Sequence, residues 1–308
     1  MAQADSKAVA ISPATVKVGF VGIGNMGAPM ASHLIKAGWV VQVYDSDPGK
    51  SRKFVAAHGG SSAAGLAELA RHSNVIITML PDGHVVRQVV LGGAGGAGDC
   101  LAQSMAKGTA IIDMSSSSPV GTRVLGKDLA QRGMSLLDAP VSGGVKGAVA
   151  GSLAIIVGGD EELAKRCDPL LAPMGRRFYI GSLGSGHAAK VLNNYVSAAG
   201  LAAAGEAVII ARRFGIDAQT LINVINASTG RNNSTENKFA QFILNKKFNS
   251  GFALGLMAKD LALAMEVAEA CGVPAELGHA TLRLWQAAEA EVGGKADHTE
   301  IVKHLGDL

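Results

Sequence analysis

The sequence predicts an α/β chain in two parts: a doubly wound N-terminal domain with a mostly parallel sheet, followed by an all-α C-terminal domain, joined by one long helix. Three observations carry this. Short β-branched runs alternate with helix-length segments in the first half, that alternation stops near Ile180, and helical periodicity takes over from there. At 308 residues with 48% hydrophobic content, the chain exceeds what a single core usually serves, so two domains are expected. The expected division is a disordered leader over residues 1–15, a sheet domain over 16–181 and a helical domain over 182–308.

The leader is alanine-rich, with a single Lys7 and no arginine. It fits neither a secretory signal nor a transit peptide and reads as a frayed tail on a cytoplasmic protein. From Val16 the strands are VKVGFVGI, VVQVY, NVIITM, TAIIDM, MSLLDA and LAIIVG, each short, apolar and bounded by glycine or polar residues. Helix-length segments between them imply parallel crossovers and a sheet covered on both faces. Residues 186–214 then read as one long helix rich in alanine and leucine. Gly215 reads as its stop and Asp217 as the N-cap of a helix over 218–227. Helical periodicity continues through KFAQFILN, LMAKDLALAMEVAEAC, AELGHATLRLWQAAEAEV and HTEIVKHL. These apolar faces exceed what the helical half can hide alone, which predicts a homodimer or homotetramer built on it.

Composition narrows the function classes. The formal charge of +3, from 28 basic and 25 acidic residues, comes without a polybasic run, and aromatics are few, so nucleic acid is not an expected partner. Cys100, Cys167 and Cys271 are odd in number and too far apart for metal-ligand spacing, which argues for small buried apolar residues in a reducing compartment and for no metal. No uninterrupted apolar stretch reaches the roughly 20 residues a membrane span needs.

After the first strand come Gly22, Ile23, Gly24, Asn25, Met26 and Gly27, a GxGxxG turn opening a helix. Each glycine has a mechanical reason: a tight turn, close backbone approach to a pyrophosphate, and close packing of helix on strand, which makes this a Rossmann-type dinucleotide site. The helix N-terminus adds N–H groups and a partial positive charge. VVQVY ends at Asp45, where a carboxylate accepts from both ribose hydroxyls and repels a 2′-phosphate, favouring NAD over NADP; the other reading is a solvated turn residue in DSDPGK. Met79, Leu80 and Pro81 close the NVIITM strand, and Ser115 and Ser116 follow TAIIDM, all facing the same crevice. SSSSP reads equally as a cofactor contact and as a helix N-cap before Pro119.

Ser142, Gly143 and Gly144 sit just past another strand, where converging N–H groups and a hydroxyl suit a carboxylate; a ligand-free glycine turn is the alternative. In GSGHAAKVLNN, Lys190 and Asn194 stand four apart on one helix face. Small apolar neighbours would desolvate the ammonium and lower its pKa, letting it exchange a proton with an alcohol or carbonyl oxygen, while Asn194 can hold the substrate in register. Taken singly, such a lysine is more often a surface residue. His187, roughly one turn earlier, is a rival base or a supporting partner.

These motifs resemble the 3-hydroxyisobutyrate dehydrogenase family of β-hydroxyacid dehydrogenases, relatives of 6-phosphogluconate dehydrogenase, from Val18 almost to the C-terminus. GFVGIGNMGAPMASHL resembles the family's cofactor fingerprint, DAPVSGG its substrate loop, GSGHAAKVLNN its catalytic helix and KDLALA its cofactor-proximal segment. The resemblance implies Lys190 as general acid/base, Asn194 as substrate ligand, Ser142 to Gly144 as carboxylate site, Ser116 as a cofactor contact and Lys259 reaching the nicotinamide side. It implies reversible hydride transfer between NAD and a small 3-hydroxy acid of the 3-hydroxyisobutyrate or tartronate semialdehyde class. Ser115, Ser116 and Ser117 replace the family's serine-threonine-isoleucine. The RNNSTENK stretch occupies a region that lines the substrate pocket in family members, and its polarity suggests a polar or second anionic group on the substrate. Rival readings are an imine reductase, expected to replace the catalytic lysine, a non-catalytic dinucleotide-binding scaffold, and a decarboxylating dehydrogenase, for which the chain looks too short.

Overall fold

The computed structural model describes residues 11–93 and 98–307. Two compact units part between Lys190 and Val191. That is past the 181/182 division expected from sequence, because the helix runs unbroken through the boundary and no linker marks it.

The first unit holds a nine-stranded sheet: β1 Lys17–Val21, β2 Val40–Tyr44, β3 Ser61–Ser62, β4 Val75–Thr78, β5 Ala110–Asp113, β6 Ser135–Asp138, β7 Val141–Ser142, β8 Leu153–Gly158 and β9 Gly175–Gly181. The order is β3-β2-β1-β4-β5-β6-β8-β7, with β9 pairing β8. Pairing is parallel from β3 through β6 and again between β8 and β9. β8 runs antiparallel to β6 and β7, so the sheet is mostly, not wholly, parallel. Around the sheet lie α1 Gly27–Lys36, α2 Pro48–His58, α3 Leu66–Arg71, α4 Gly83–Leu91, α5 Pro119–Ala130, α6 Gly144–Ala150, α7 Glu161–Arg166 and α8 Asp168–Leu171.

Successive side chains of a strand point to opposite faces, and here both faces are dry. Val75, Ile77, Ala110, Ile112 and Leu137 enter one core with Met30 and Leu34 of α1. Ile76, Ile111 and Leu136 enter the other with Leu69, Val86 and Leu129 of α3, α4 and α5. That is why these strands read as continuous apolar runs rather than alternating ones. Of the leader, residues 1–10 lie outside the described residues. Ile11 is already buried in the first core and Thr15 N donates to Ser12 O at 3.0 Å, so residues 11–15 are ordered against the first unit rather than part of the tail expected over 1–15.

The helix α9 Ser185–Phe214 carries the chain into the second unit, followed by α10 Ala218–Asn226, α11 Asn233–Asn237, α12 Leu254–Ala270, α13 Glu276–Val292 and α14 Ile301–Leu305. Asp217 caps α10 by accepting from Thr220 N at 2.8 Å, and Gly215 takes φ +96°, as the sequence anticipates. KFAQFILN forms a π-helical turn over Phe239–Ile243 rather than an α-helix. Ala198, Leu201, Ala204 and Val208 of α9 pack with Ile222, Leu261 and the fully buried Trp285. Judged as a helix rather than an unbroken apolar run, α9 is long and apolar enough by composition to cross a membrane, and half of its most apolar window is buried. Cys100 and Cys167 are buried free thiols, with burial pushing the Cys167 thiol up to about 12. Cys271 instead is exposed at the end of α12, a correction to the expectation that all three are buried.

Candidate active site

The strand order reverses direction at β1, which lies between β2 and β4. In an open parallel sheet the crevice beyond the carboxyl ends at such a point is where ligands bind. The residues expected to hold the cofactor follow those strand ends. Gly22 N donates to Tyr44 O at 2.8 Å and Met79 N to Val21 O at 2.9 Å, tying the turn to both neighbours.

The three glycines divide their work as the motif requires. Gly22 takes φ +99°, and a Cβ there would lie 2.2 Å from Met79 O. A Cβ on Gly27 would lie 1.9 Å from Gly22 O, so α1 can approach β1 this closely only without a side chain. Beside Gly24 nothing lies within 4 Å of such an atom. The turn is thus crowded where it packs and open where a pyrophosphate would approach, which fits a dinucleotide. Asp45 is buried at the end of β2. Its Oδ2 accepts from Ile23 N at 2.9 Å and its Oδ1 from Asp47 N at 2.9 Å, with Lys50 Nζ 3.6 Å from Oδ1. The solvated reading of this carboxylate does not hold, since it is buried and bonded to the glycine turn through Ile23.

The SSSSP run resolves into separate tasks. Ser115 Oγ accepts from Leu80 N at 2.9 Å, Ser117 Oγ donates to Asp113 Oδ2 at 2.6 Å, and Ser118 Oγ caps α5 by accepting from Gly121 N at 2.9 Å. Ser116 is half-buried between two buried serines. Met79 and Leu80 are half-buried and Pro81 exposed at the β4 end. Ser142 ends β7, and Gly143 and Gly144 follow exposed with φ +126° and +59°. No atom lies within 4 Å of where a Cβ on Gly144 would be.

A buried polar cluster beneath this edge was missed from sequence. Asp113 Oδ1 accepts from Thr78 Oγ1 at 2.9 Å and from Ser115 N at 3.0 Å. Asp138 Oδ1 accepts from Gly184 N at 2.8 Å and Oδ2 from His187 N at 2.7 Å. The His187 ring is fully buried between the two acids, 3.7 Å from Asp113 Oδ2 and 3.8 Å from Asp138 Oδ2. Its Nε2 donates to Ser115 O at 3.1 Å, so in the neutral ring Nδ1 accepts from Thr122 Oγ1, 2.9 Å away. His187 is therefore committed to structure rather than available as a base. Gly186 is required here: a Cβ would lie 2.3 Å from Ile156 O and 2.8 Å from Asp138 Oδ2. The cluster anchors the start of α9 to the ends of β5 and β6, one turn before Lys190.

Lys190 is 8% exposed, which removes the reading of a solvated surface lysine. In the second unit Asn194 is buried. Its Nδ2 donates to Asp260 Oδ2 at 2.6 Å and its Oδ1 accepts from Asn193 Nδ2 at 3.2 Å. Lys259, half-buried, precedes Asp260 on α12. Within the KDLALA motif Asp260 and Lys259 read otherwise as an ordinary charged patch on a helix, so sequence alone gives Asp260 no task. Among the described residues no group of His, Cys, Asp and Glu has metal-site geometry.

Comparison with known proteins gives this architecture its class. The model described as the NAD binding domain of 6-phosphogluconate dehydrogenase matches residues 17–184, and the one described as NAD-binding of NADP-dependent 3-hydroxyisobutyrate dehydrogenase matches 184–305. A 2-(hydroxymethyl)glutarate dehydrogenase from Eubacterium barkeri is 35% identical over 94% of this chain and 94% of its own. An NAD-dependent L-serine dehydrogenase from Pseudomonas aeruginosa is 35% identical over 88% and 91%. The solved structure of Mycobacterium tuberculosis 3-hydroxyisobutyrate dehydrogenase with L-serine is 36% identical, covers 94% of this chain and 99% of that one, and has a TM-score of 0.85. An imine reductase from Bacillus cereus, at 18% identity and TM-score 0.63, shares the fold alone. Fold and relatives together define an NAD-dependent oxidoreductase acting on the CH–OH group of a hydroxy acid. The chain belongs to the 3-hydroxyisobutyrate dehydrogenase-like family of β-hydroxyacid dehydrogenases.

Proposed function

We propose that Lys190 is the general acid/base of this dehydrogenase and that its substrate is a small 3-hydroxy acid. The observation that carries the reading is the burial of Lys190 one helical turn from the buried Asn194. A lysine ammonium is seldom taken out of water without a task. In the oxidative direction neutral Lys190 removes the hydroxyl proton through Nζ, and in the reductive direction its ammonium returns it. Asn194, fixed by Asp260, has a second amide N–H to orient the substrate oxygen. Ser142, Gly143 and Gly144 bind the carboxylate through the hydroxyl and loop N–H groups. The dinucleotide on Gly22 to Gly27, Asp45, Met79 to Pro81 and Ser116, with Lys259 toward its nicotinamide side, supplies the hydride acceptor. The buried Asp45 carboxylate favours NAD over NADP through repulsion of a 2′-phosphate, moderated by Lys50 beside it.

Leu192, Val196, Ile210 and Phe214 leave apolar side chains exposed on α9, Phe214 at 84%. This supports a homodimer or homotetramer through the helical unit, and we place the protein in the cytoplasm. The test is a panel of 3-hydroxy acids scored by reduced-nicotinamide absorbance with NAD and NADP in parallel, on protein whose mass is read by light scattering at two concentrations. Oxidation of at least one acid, faster with NAD, by an oligomer is expected. Inactivity across the panel would overturn the substrate class, and a concentration-independent monomer the assembly.

A further inference from the structure

The segment that follows α10 contains a cation that the reaction above does not use. Asn232 caps α11 with a capping box and lies against α9, where a Cβ on Gly200 would come within 3.4 Å of its amide. At the other end of α11, Lys238 Nζ donates to Ser197 Oγ at 3.4 Å. The segment therefore lies along α9 and delivers a half-buried ammonium to Ser197. Ser197 stands three residues after Asn194 and seven after Lys190, so all three share one face of α9, and Ser197 is about 10 Å along the axis from Lys190 at the helical rise of 1.5 Å per residue.

No carboxylate lies within 4.0 Å of Lys238 among the described residues, and its long bond to a hydroxyl is poor compensation for lost water. Burial pulls the Lys238 ammonium down to about 8, against the opposing pull of Asp297. Burial and the Lys238 charge together hold His298 down at about 4, so that ring is neutral near pH 7 and adds no second positive charge beside the lysine. Asp297 is already occupied by Ser250, Gly251 and Thr299. The fold thus keeps, on the face of α9 that carries Lys190 and Asn194, a cation with no carboxylate within ion-pair distance among the described residues.

We infer that Lys238 binds a second carboxylate on the substrate, so that the preferred hydroxy acid is a dicarboxylate whose second carboxylate lies a few bonds beyond the reacting carbinol. The inference rests on the assignment of Lys190 and Asn194 to that face. It turns the polarity of RNNSTENK into a specific recognition element. Lys238 is a specificity residue: it leaves the proton transfer to Lys190 and sets which acid is held for it.

The test titrates the NADH-loaded protein with glutarate and with butyrate, which lacks the second carboxylate, in wild type, Lys238→Met and Lys238→Arg. Wild type is expected to bind glutarate at least about 10-fold more tightly than butyrate, the equivalent of one modest charge pair. Lys238→Met should abolish most of that ratio, and Lys238→Arg should retain part of it. Equal affinity for the two acids in wild type, or a ratio unchanged in Lys238→Met, overturns the inference. A Lys238-dependent glutarate preference in a protein that oxidises no hydroxy acid would uphold the subsite and refute the assigned reaction.

Discussion

Buried charge is handled in two opposite ways in the two units. At the carboxyl edge of the sheet, Asp113, Asp138 and His187 are sealed from water, and each acid accepts hydrogen bonds at both oxygens. In the helical unit, Lys238 is half-buried with one long bond to a hydroxyl. A satisfied cluster fixes geometry, whereas an undercompensated charge is what a protein keeps for a ligand at some cost to stability. The contrast separates a region that holds the start of α9 in place from one that, on the proposed reading, selects the substrate.

Breaking the satisfied cluster should have the largest effect on stability. Asp138→Ala strands the N–H groups of Gly184 and His187 inside the protein and should cost about 3 kcal/mol or more, lowering the thermal midpoint by roughly 10 °C. Calorimetry checks this, and a midpoint within a degree or two of wild type would remove the anchoring role. Relieving the undercompensated charge should act in the other direction and more gently. Lys238→Met should raise the midpoint by a few degrees near pH 7. Because burial lowers the folded-state pKa of Lys238 from 10.5 to about 8, the charged form destabilises the fold most fully below about pH 8. Wild-type stability from this group therefore rises between pH 8 and 10.5, and the variant's advantage should shrink across that window. A constant or growing advantage would contradict it.

Much of the sheet was legible because its strands are buried on both faces and so read as short apolar runs. β9 escaped because GRRFYIG carries charges on an exposed alternation, and β7 because two residues leave no pattern. The glycine turn was legible since the demand at each of Gly22, Gly24 and Gly27 is local. The Asp113, Asp138 and His187 cluster was not, because it joins residues distant in sequence that only strand pairing brings together. Nor was Lys238 legible as an individual residue: its polarity was visible in RNNSTENK, but its burial depends on where α11 lies along α9.

The central claim is that Lys190 carries the proton. Wild type and Lys190→Ala should be compared for turnover of a 3-hydroxy acid and for NADH affinity in the same preparations. The account predicts turnover lower by about 10²-fold or more with NADH affinity near wild type. Wild-type turnover in Lys190→Ala would contradict it.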